Sequence, residues 1–261
     1  AAEAMYNLAS AGMDVKETVS AIGPAMRMAQ AINTNLSTST SLLASTMSQF
    51  GLGAEQADRI VDVLTTSTHK SQLTADKLRE GLKFAGTAGR AFGQSIEETV
   101  TMFAQFANLG HEGGMAGRHM NAAFTELADL SDDAREAFHK LGIDLKDINP
   151  HANSFLKIVK TIAESSFKAT DAQKIWTRAA ANDMTVIIEN YRQGKSTMNS
   201  MKEALDNSQG SALKASEDMK NLSTDWKEVV SAIESAALAM GDTWQEEVSK
   251  VLRETRDIFR E

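Results

Sequence analysis

Residues 108–130 read NLGHEGGMAGRHMNAAFTELADL and place four glycines and two histidines before and within a helical pattern. Glycines before a helix let backbone N–H groups converge, and the N-terminus of a helix attracts anions. One interpretation is therefore a loop that binds an anion, with Arg118 adding positive charge. The other is a corner between helices: Gly110 ends one helix, and Ala116 and Gly117 let the next one approach a neighbour closely.

Recognised ligand-binding motifs do not accompany these glycines. The Gly-x4-Gly-Lys-Ser/Thr phosphate loop is absent from the sequence, and no strand-like segment precedes the stretch. The tetrad 114–117 has the Gly-x-x-Gly form of a KH nucleic-acid loop, but that fold needs a β-sheet. We therefore favour a structural turn and keep an enzyme that binds an anion or a sugar here as the alternative. The residues of the predicted turn are Gly110, Gly113, Gly114, Ala116 and Gly117.

The remaining sequence favours neither catalysis nor metal binding. Its histidines lack the i, i+4 spacing beside an acid that is typical of metal ligands, so a solvent-exposed role is predicted for each. They are His69, His111, His119, His139 and His151. No Gly-x-Ser-x-Gly motif occurs, and a chain without cysteine has neither a thiol nucleophile nor a thiolate metal site. We predict no enzymatic activity, no cofactor and no metal.

Composition and charge exclude further classes of protein. A net charge of −8 does not suit nonspecific binding to DNA or RNA. Apolar runs such as AALAM (236–240) are far shorter than the roughly 20 residues that a transmembrane helix needs. The first residues, AAEAMYNLASAG, open inside an amphipathic pattern without an initiator Met. We expect the chain to be a fragment of a longer protein.

A recurring glycine pattern predicts how successive helices join. A glycine is followed two residues later by a residue that can cap a helix, and usually by Glu or Gln three residues after that. The pattern begins at Gly12, Gly51, Gly93 and Gly142. Such a glycine takes the left-handed conformation that ends one helix, and the cap begins the next. We predict an all-α fold of stacked helical hairpins rather than a solenoid, because the spacing is uneven.

Local patterns also predict details of individual helices. Pro24 should break a helix or begin a new one. Asp14 with Glu17 and Ser95 with Glu98 should each form a capping box, in which each side chain bonds the other residue's backbone N–H. The helix that follows Ser95 should have one apolar face. A single helix is expected over 171–190, capped by Thr170 with Gln173.

The extended-looking segment 143–150 predicts a boundary between a helical core domain at 1–148 and a long-helix region at 149–261. In the second region, apolar residues recur every three or four positions over four heptads, which is compatible with a coiled coil. This seam can serve self-association or pack on the core of its own domain. Its residues are Trp226, Val230, Ile233, Ala237, Met240, Trp244, Val248, Val251 and Ile258.

The order of segments resembles the central region of phage tail tape measure proteins, of the type found in lactococcal siphophages and prophages. The matching segments include AEAMYNLASAGMDVKETVSAIGPAMRMAQA (2–31), GMAGRHMNAAFTELA (114–128) and AFHKLGIDLKD (137–147). Further matching segments lie at 48–110, 175–188 and 210–241. All segments occur in the same order as in the family, so the resemblance covers nearly the whole chain. Arg118 stands where the family has Thr, and Trp176-Thr177 stands where it has Phe-Gly.

The resemblance implies a non-catalytic helical protein that spans the lumen of the phage tail. Such a protein sets tail length during assembly and later leaves the tail to help DNA cross the host envelope. The implied partners are other copies of itself, the tail tube protein and the tail assembly chaperones. During infection, the resemblance also implies a host envelope protein or membrane as a partner, whereas contact with DNA is indirect. The alternative is a membrane-active module, motivated by the segments MFAQFANLG (102–110) and SAIESAALAMG (231–241).

Overall fold

The computed structural model describes residues 2–218, and within this range the chain is all-α, as predicted. Two short 3-10 turns, Ala54–Gln56 and Leu145–Asp147, accompany the helices. The α-helices are α1 (Ala2–Ser10), α2 (Val15–Ala31), α3 (Leu36–Phe50), α4 (Ala57–Lys70), α5 (Ala75–Ala91), α6 (Ile96–Ala107), α7 (Gly113–Ala128), α8 (Asp132–Lys140), α9 (Phe155–Ala163), α10 (Ala169–Ile175), α11 (Arg178–Arg192), α12 (Met198–Asp206) and α13 (Ser211–Asp218). The predicted coiled coil and its seam lie outside the described residues.

The chain divides into two compact units. Among the described residues, the first comprises 2–66 together with 208–218, and the second is Ser67–Asn207. The first unit is thus built from two separate segments of the chain. The boundary predicted between 148 and 149 falls inside the second unit.

The four glycines of the recurring pattern all lie at helix ends in the left-handed conformation. Their φ angles are +89° at Gly12, +66° at Gly51, +68° at Gly93 and +69° at Gly142. A side chain is strained at such angles, so glycine ends the helix at the lowest cost. In each case, the residue two positions later is the N-cap of the next helix or 3-10 turn. The joints between helices follow the sequence pattern.

The two predicted capping boxes have different outcomes. Asp14 accepts a hydrogen bond from the backbone N of Glu17 at 2.8 Å, and Glu17 accepts one from the backbone N of Asp14 at 2.9 Å. At the second site, Ser95 accepts from the backbone N of Glu98 at 3.1 Å, but the Glu98 carboxylate accepts from the backbone N of Leu156 at 2.9 Å. The prediction of a capping box at Ser95 is therefore wrong for the hydrogen bond from the Ser95 backbone N–H to Glu98, because a distant helix provides the partner of Glu98.

Two predictions about helix continuity are also wrong. Pro24 is buried inside α2, and the helix runs through it. Packing of α2 against α1, α3 and α13 offsets the one backbone hydrogen bond that proline removes. The helix expected over 171–190 is instead α10 and α11, which are separated at Trp176 and Thr177.

Helix α6 forms the centre of the second unit. The sequence predicted one apolar face, yet every residue of the helix is buried. It packs against α5, α7, α9, α11 and α12. Two of its polar side chains bond to these neighbours: Glu98 bonds the start of α9, and Gln105 donates to Thr197 Oγ1 at 3.3 Å.

In the first unit, a buried aspartate holds the second chain segment. Asp62 on α4 accepts hydrogen bonds from the backbone N of Gly210 at 2.7 Å and of Ala212 at 2.9 Å. The Ser211 hydroxyl donates to the main-chain oxygen of Asp62 at 3.0 Å. The carboxylate thus caps α13 across about 150 residues of sequence, and its negative charge suits a helix N-terminus.

Among residues 2–218, no helix has the length and apolar character needed to cross a membrane.

Replacing Asp62 by alanine should destabilise the first unit by about 1–3 kcal/mol, because two backbone N–H groups lose a charged acceptor. Urea denaturation followed by circular dichroism measures this loss. Asp58→Ala on the same helix is the matched control, since its ion pair with Arg27 is largely exposed on the aspartate side. The control should change the free energy of unfolding by less than about 1 kcal/mol. Equal effects of the two substitutions would contradict the capping role of Asp62.

Candidate functional site

The glycine-rich stretch 108–130 forms the corner between α6 and α7 and then α7 itself. Gly110 has φ +90° and ends the turn that follows α6. Glu112 is the N-cap residue of α7, and its main-chain oxygen accepts hydrogen bonds from Met115 and Ala116, both at 2.9 Å. The stretch therefore has the same joint between helices as the recurring glycine pattern.

Three glycines bring the backbones of α5 and α7 into direct contact. A Cβ atom added to Gly117 would lie 2.9 Å from the Cα of Gly81, and one added to Gly113 would lie 2.6 Å from the Cα of Lys77. A Cβ atom on Gly81 would lie 2.7 Å from the main-chain oxygen of Gly113. Carbon atoms do not approach this closely, so only glycine fits at these three positions. We refer to Gly81, Gly113 and Gly117 as the α5–α7 glycine contact.

Gly114 and Arg118 lie outside this contact. A Cβ atom on Gly114 would meet only a terminal nitrogen of Arg118, at the ordinary distance of 3.8 Å. The Arg118 guanidinium lies over the ring of Phe84, 5.1 Å from its centroid, in a cation–π arrangement. Arg118 is thus placed on an aromatic ring, while Gly113 and Gly117 face the backbone of α5. This arrangement uses the glycines for close packing.

On α7 and at its start, two histidines meet one buried aspartate from α11. His111 Nε2 lies 2.9 Å from Asp183 Oδ1, and His119 Nδ1 lies 2.7 Å from Asp183 Oδ2. The imidazole rings face each other edge to face, with their centroids 4.9 Å apart. Asp183 is 7% exposed, whereas the histidine side chains are 24% and 21% exposed. We refer to His111, His119 and Asp183 as the His–Asp–His cluster.

The cluster corrects the prediction that every histidine has a solvent-exposed role. His69, His139 and His151 are exposed, but His111 and His119 are half-buried and hydrogen-bonded to Asp183. One potential ligand atom from each cluster residue lies within 4.8 Å of the others, so the set could hold a metal ion. The sequence pattern did not indicate this, since Asp183 is 64 residues from His119, and His111 lies in the joint before α7 whereas His119 lies within the helix.

Hydrogen bonds connect the end of α7 to the joint between α10 and α11. The Trp176 indole N–H donates to the main-chain oxygen of Ala123 at 3.1 Å. The Glu126 carboxylate accepts from the backbone N of Thr177 at 2.7 Å and from its hydroxyl at 2.8 Å. The carboxylate thereby caps the start of α11. Trp176-Thr177, where the sequence departs from the Phe-Gly of the family pattern, is therefore a contact to α7.

Comparison with known proteins shows similarity to phage tail components. A family model described as phage-related minor tail protein matches residues 1–185. A tape measure protein of Pneumococcus phage Dp-1 is 24% identical over 256 residues, which cover 97% of this chain and 22% of that protein. A probable tape measure protein of Escherichia phage P2 is 28% identical over 165 residues, covering 63% of this chain and 20% of that protein. The chain thus spans about a fifth of the length of these relatives. No solved structure matches it.

Two glycine substitutions in α7 should have opposite effects on stability. Gly117→Ala should lower the free energy of unfolding by about 1–3 kcal/mol or more, because the new methyl group overlaps the backbone of α5. Gly114→Ala should be neutral or raise it by up to about 1 kcal/mol, since the methyl group makes only an ordinary contact with Arg118 and alanine favours a helix. Thermal and urea unfolding of both variants test this. Equal destabilisation by both would mean that helix α7 does not approach α5 as described.

Proposed function

Since the chain belongs to the phage-related minor tail protein family, we propose that it is a structural and interaction module of a tail tape measure protein. In this role it acts in tail-length determination and tail assembly and, after release from the tail, in delivery of the genome across the host envelope. The similarity to the Dp-1 tape measure protein over 97% of the chain carries the proposal. The supporting physical observation is an all-α architecture held by helix caps and close packing.

The compact units suggest a role for this region that differs from the role of the rest of a tape measure protein. The longest described helices have 17 residues, so each spans only about 25 Å at 1.5 Å per residue. Each unit folds its helices back on one another rather than extending them along one axis. We propose that this region contributes to tail-length determination and assembly as a folded docking module, while extended segments elsewhere in the parent protein span the measured distance.

The proposed partners are components of the same tail, namely the tail tube protein, the tail assembly chaperones and other copies of this chain. The proposed location is the tail of the virion and, after ejection, the host envelope.

The membrane-active alternative gains no support from the segment MFAQFANLG (102–110). Most of this segment belongs to α6, and its apolar side chains form the centre of the second unit. Burial in the protein core therefore accounts for its composition. The other segment that motivated this alternative, 231–241, lies outside the described residues.

A substitution that disrupts the second unit should impair tail assembly. In a phage that encodes this protein, Gly117→Leu should abolish tails of uniform length, because a leucine side chain cannot fit against the backbone of α5. Electron microscopy of the particles and plaque titre measure the result. Gly114→Ala is the control and should leave both unchanged. Normal tails and normal titre with Gly117→Leu, in a protein shown by circular dichroism to have lost the unit, would contradict the proposed role.

Insertions in the turn at Gly194 should leave tail length unchanged. Gly194 lies between α11 and α12 with φ +68°, and residues added to this exposed turn would not lengthen a compact unit. Inserting about 40 residues of helix-forming sequence would add about 60 Å if this region were an extended helix in the tail. Tail lengths measured by electron microscopy separate the two cases. A tail lengthened by that amount would show that the region is extended there and would refute a folded docking module.

A further inference from the structure

We propose that the His–Asp–His cluster is a binding site for a divalent transition-metal ion, Zn²⁺, that joins α11 to the corner between α6 and α7. His111, His119 and Asp183 offer two imidazole nitrogens and one carboxylate. Imidazole and carboxylate donors together suit zinc, whereas magnesium and calcium prefer sets made of oxygen alone. The proposal depends on this cluster alone and stands independently of the role in the phage tail.

The distances within the cluster are close to those that a zinc ion requires. Zinc binds nitrogen and oxygen ligands at about 2.0–2.2 Å, so neighbouring donors in a tetrahedral site lie roughly 3.3 Å apart. In the cluster, His111 Nε2 is 2.9 Å from Asp183 Oδ1, and His119 Nδ1 is 2.7 Å from the other carboxylate oxygen, Oδ2. One donor atom from each of the three residues lies within 4.8 Å of the others. Small side-chain rotations, without a change in the backbone, would bring all three donors onto one ion.

Burial and access also favour an ion at this position. The Asp183 side chain is 9% exposed, and a buried carboxylate needs compensation by positive charge or by hydrogen bonds. A divalent cation provides more compensation than two hydrogen bonds from neutral imidazoles. The histidine side chains are 24% and 21% exposed, so solvent reaches the cluster from their side. This side offers the ion an entry path and a water molecule as its fourth ligand.

The proton positions allow binding without a change in the fold. An ionised carboxylate only accepts hydrogen bonds, so each imidazole nitrogen that faces Asp183 carries a proton when no metal is bound. To bind the ion, a neutral imidazole moves that proton to its other ring nitrogen, whereas an imidazolium, which has a proton on both nitrogens, loses the one that faces Asp183 to solvent. Either change frees Nε2 of His111 and Nδ1 of His119 as ligands.

The consequence of binding would be a crosslink within the second unit. His111 belongs to the joint before α7, His119 to the second turn of α7, and Asp183 to α11. An ion held by all three fixes α11 against the same helix that contacts α5 through the glycines. Because the three ligands meet only in the folded chain, bound zinc stabilises the folded state.

The test uses the 261-residue chain, stripped of metal with a chelator that is then removed. Zn²⁺ alone is added to this metal-free protein. Competition with a chromophoric chelator should show one Zn²⁺ bound per chain. Zinc at about a hundred times its Kd should raise the melting temperature by roughly 5–10 °C. Magnesium at the same concentration should not. Absence of both zinc binding and a zinc-dependent shift would overturn the proposal and leave a hydrogen-bonded cluster only.

Variants locate the site. His111→Gln, His119→Gln and Asp183→Asn should each weaken zinc binding by at least about 100-fold, since the loss of a ligand exceeds the 10- to 100-fold effect of second-shell changes. His139→Gln, at an exposed histidine of the same unit, is the matched control and should bind as the parent does. Circular dichroism without metal verifies that each variant is folded.

Cobalt adds a readout that does not depend on stability. Co²⁺ in place of zinc should give the visible absorption bands of a low-symmetry four-coordinate site, and these bands should be lost in His119→Gln. Zinc binding that persists at parental strength in all three variants would place the ion elsewhere and overturn the proposal.

Discussion

The direct backbone contact between α5 and α7 is the constraint on which the second unit depends. Gly81, Gly113 and Gly117 let the two helices meet without intervening side chains. Because one side of α7 packs directly on α5, its other sides contact α6 and α11. The corner glycine, Gly110, determines where α7 begins and therefore which residues face α5. A shift of one residue along α7 would place side chains where only glycine fits.

Acidic side chains repeatedly fix the ends of distant segments in this protein. Asp62 caps α13, Glu98 bonds the start of α9, and Glu126 caps α11. Each carboxylate meets the positive end of a helix, where negative charge is favourable. Asp183 differs, because its partners are two imidazoles rather than backbone N–H groups. That difference makes the cluster a candidate for metal binding, whereas the other acids are fully explained as helix caps.

These features suit the folded docking module proposed for this region. The aligned residues cover only about a fifth of each relative, and the described helices are short and folded back on one another. Stability then has to come from packing and from the caps at each joint, because short helices are marginal on their own. A bound zinc ion would add to this stability at the joint between α7 and α11.

The sequence alone determined the all-α fold, the left-handed glycines at helix ends, the Asp14–Glu17 capping box and membership of the family. Each helix-end feature depends on residues within about five positions of one another, so a local pattern is enough to predict it. Tertiary structure decided that Pro24 stays inside a helix, that Glu98 bonds the start of α9, that α6 is buried on all sides and that Asp183 meets two histidines. These features depend on contacts between residues far apart in the chain, and a single sequence does not reveal which helix faces pack together.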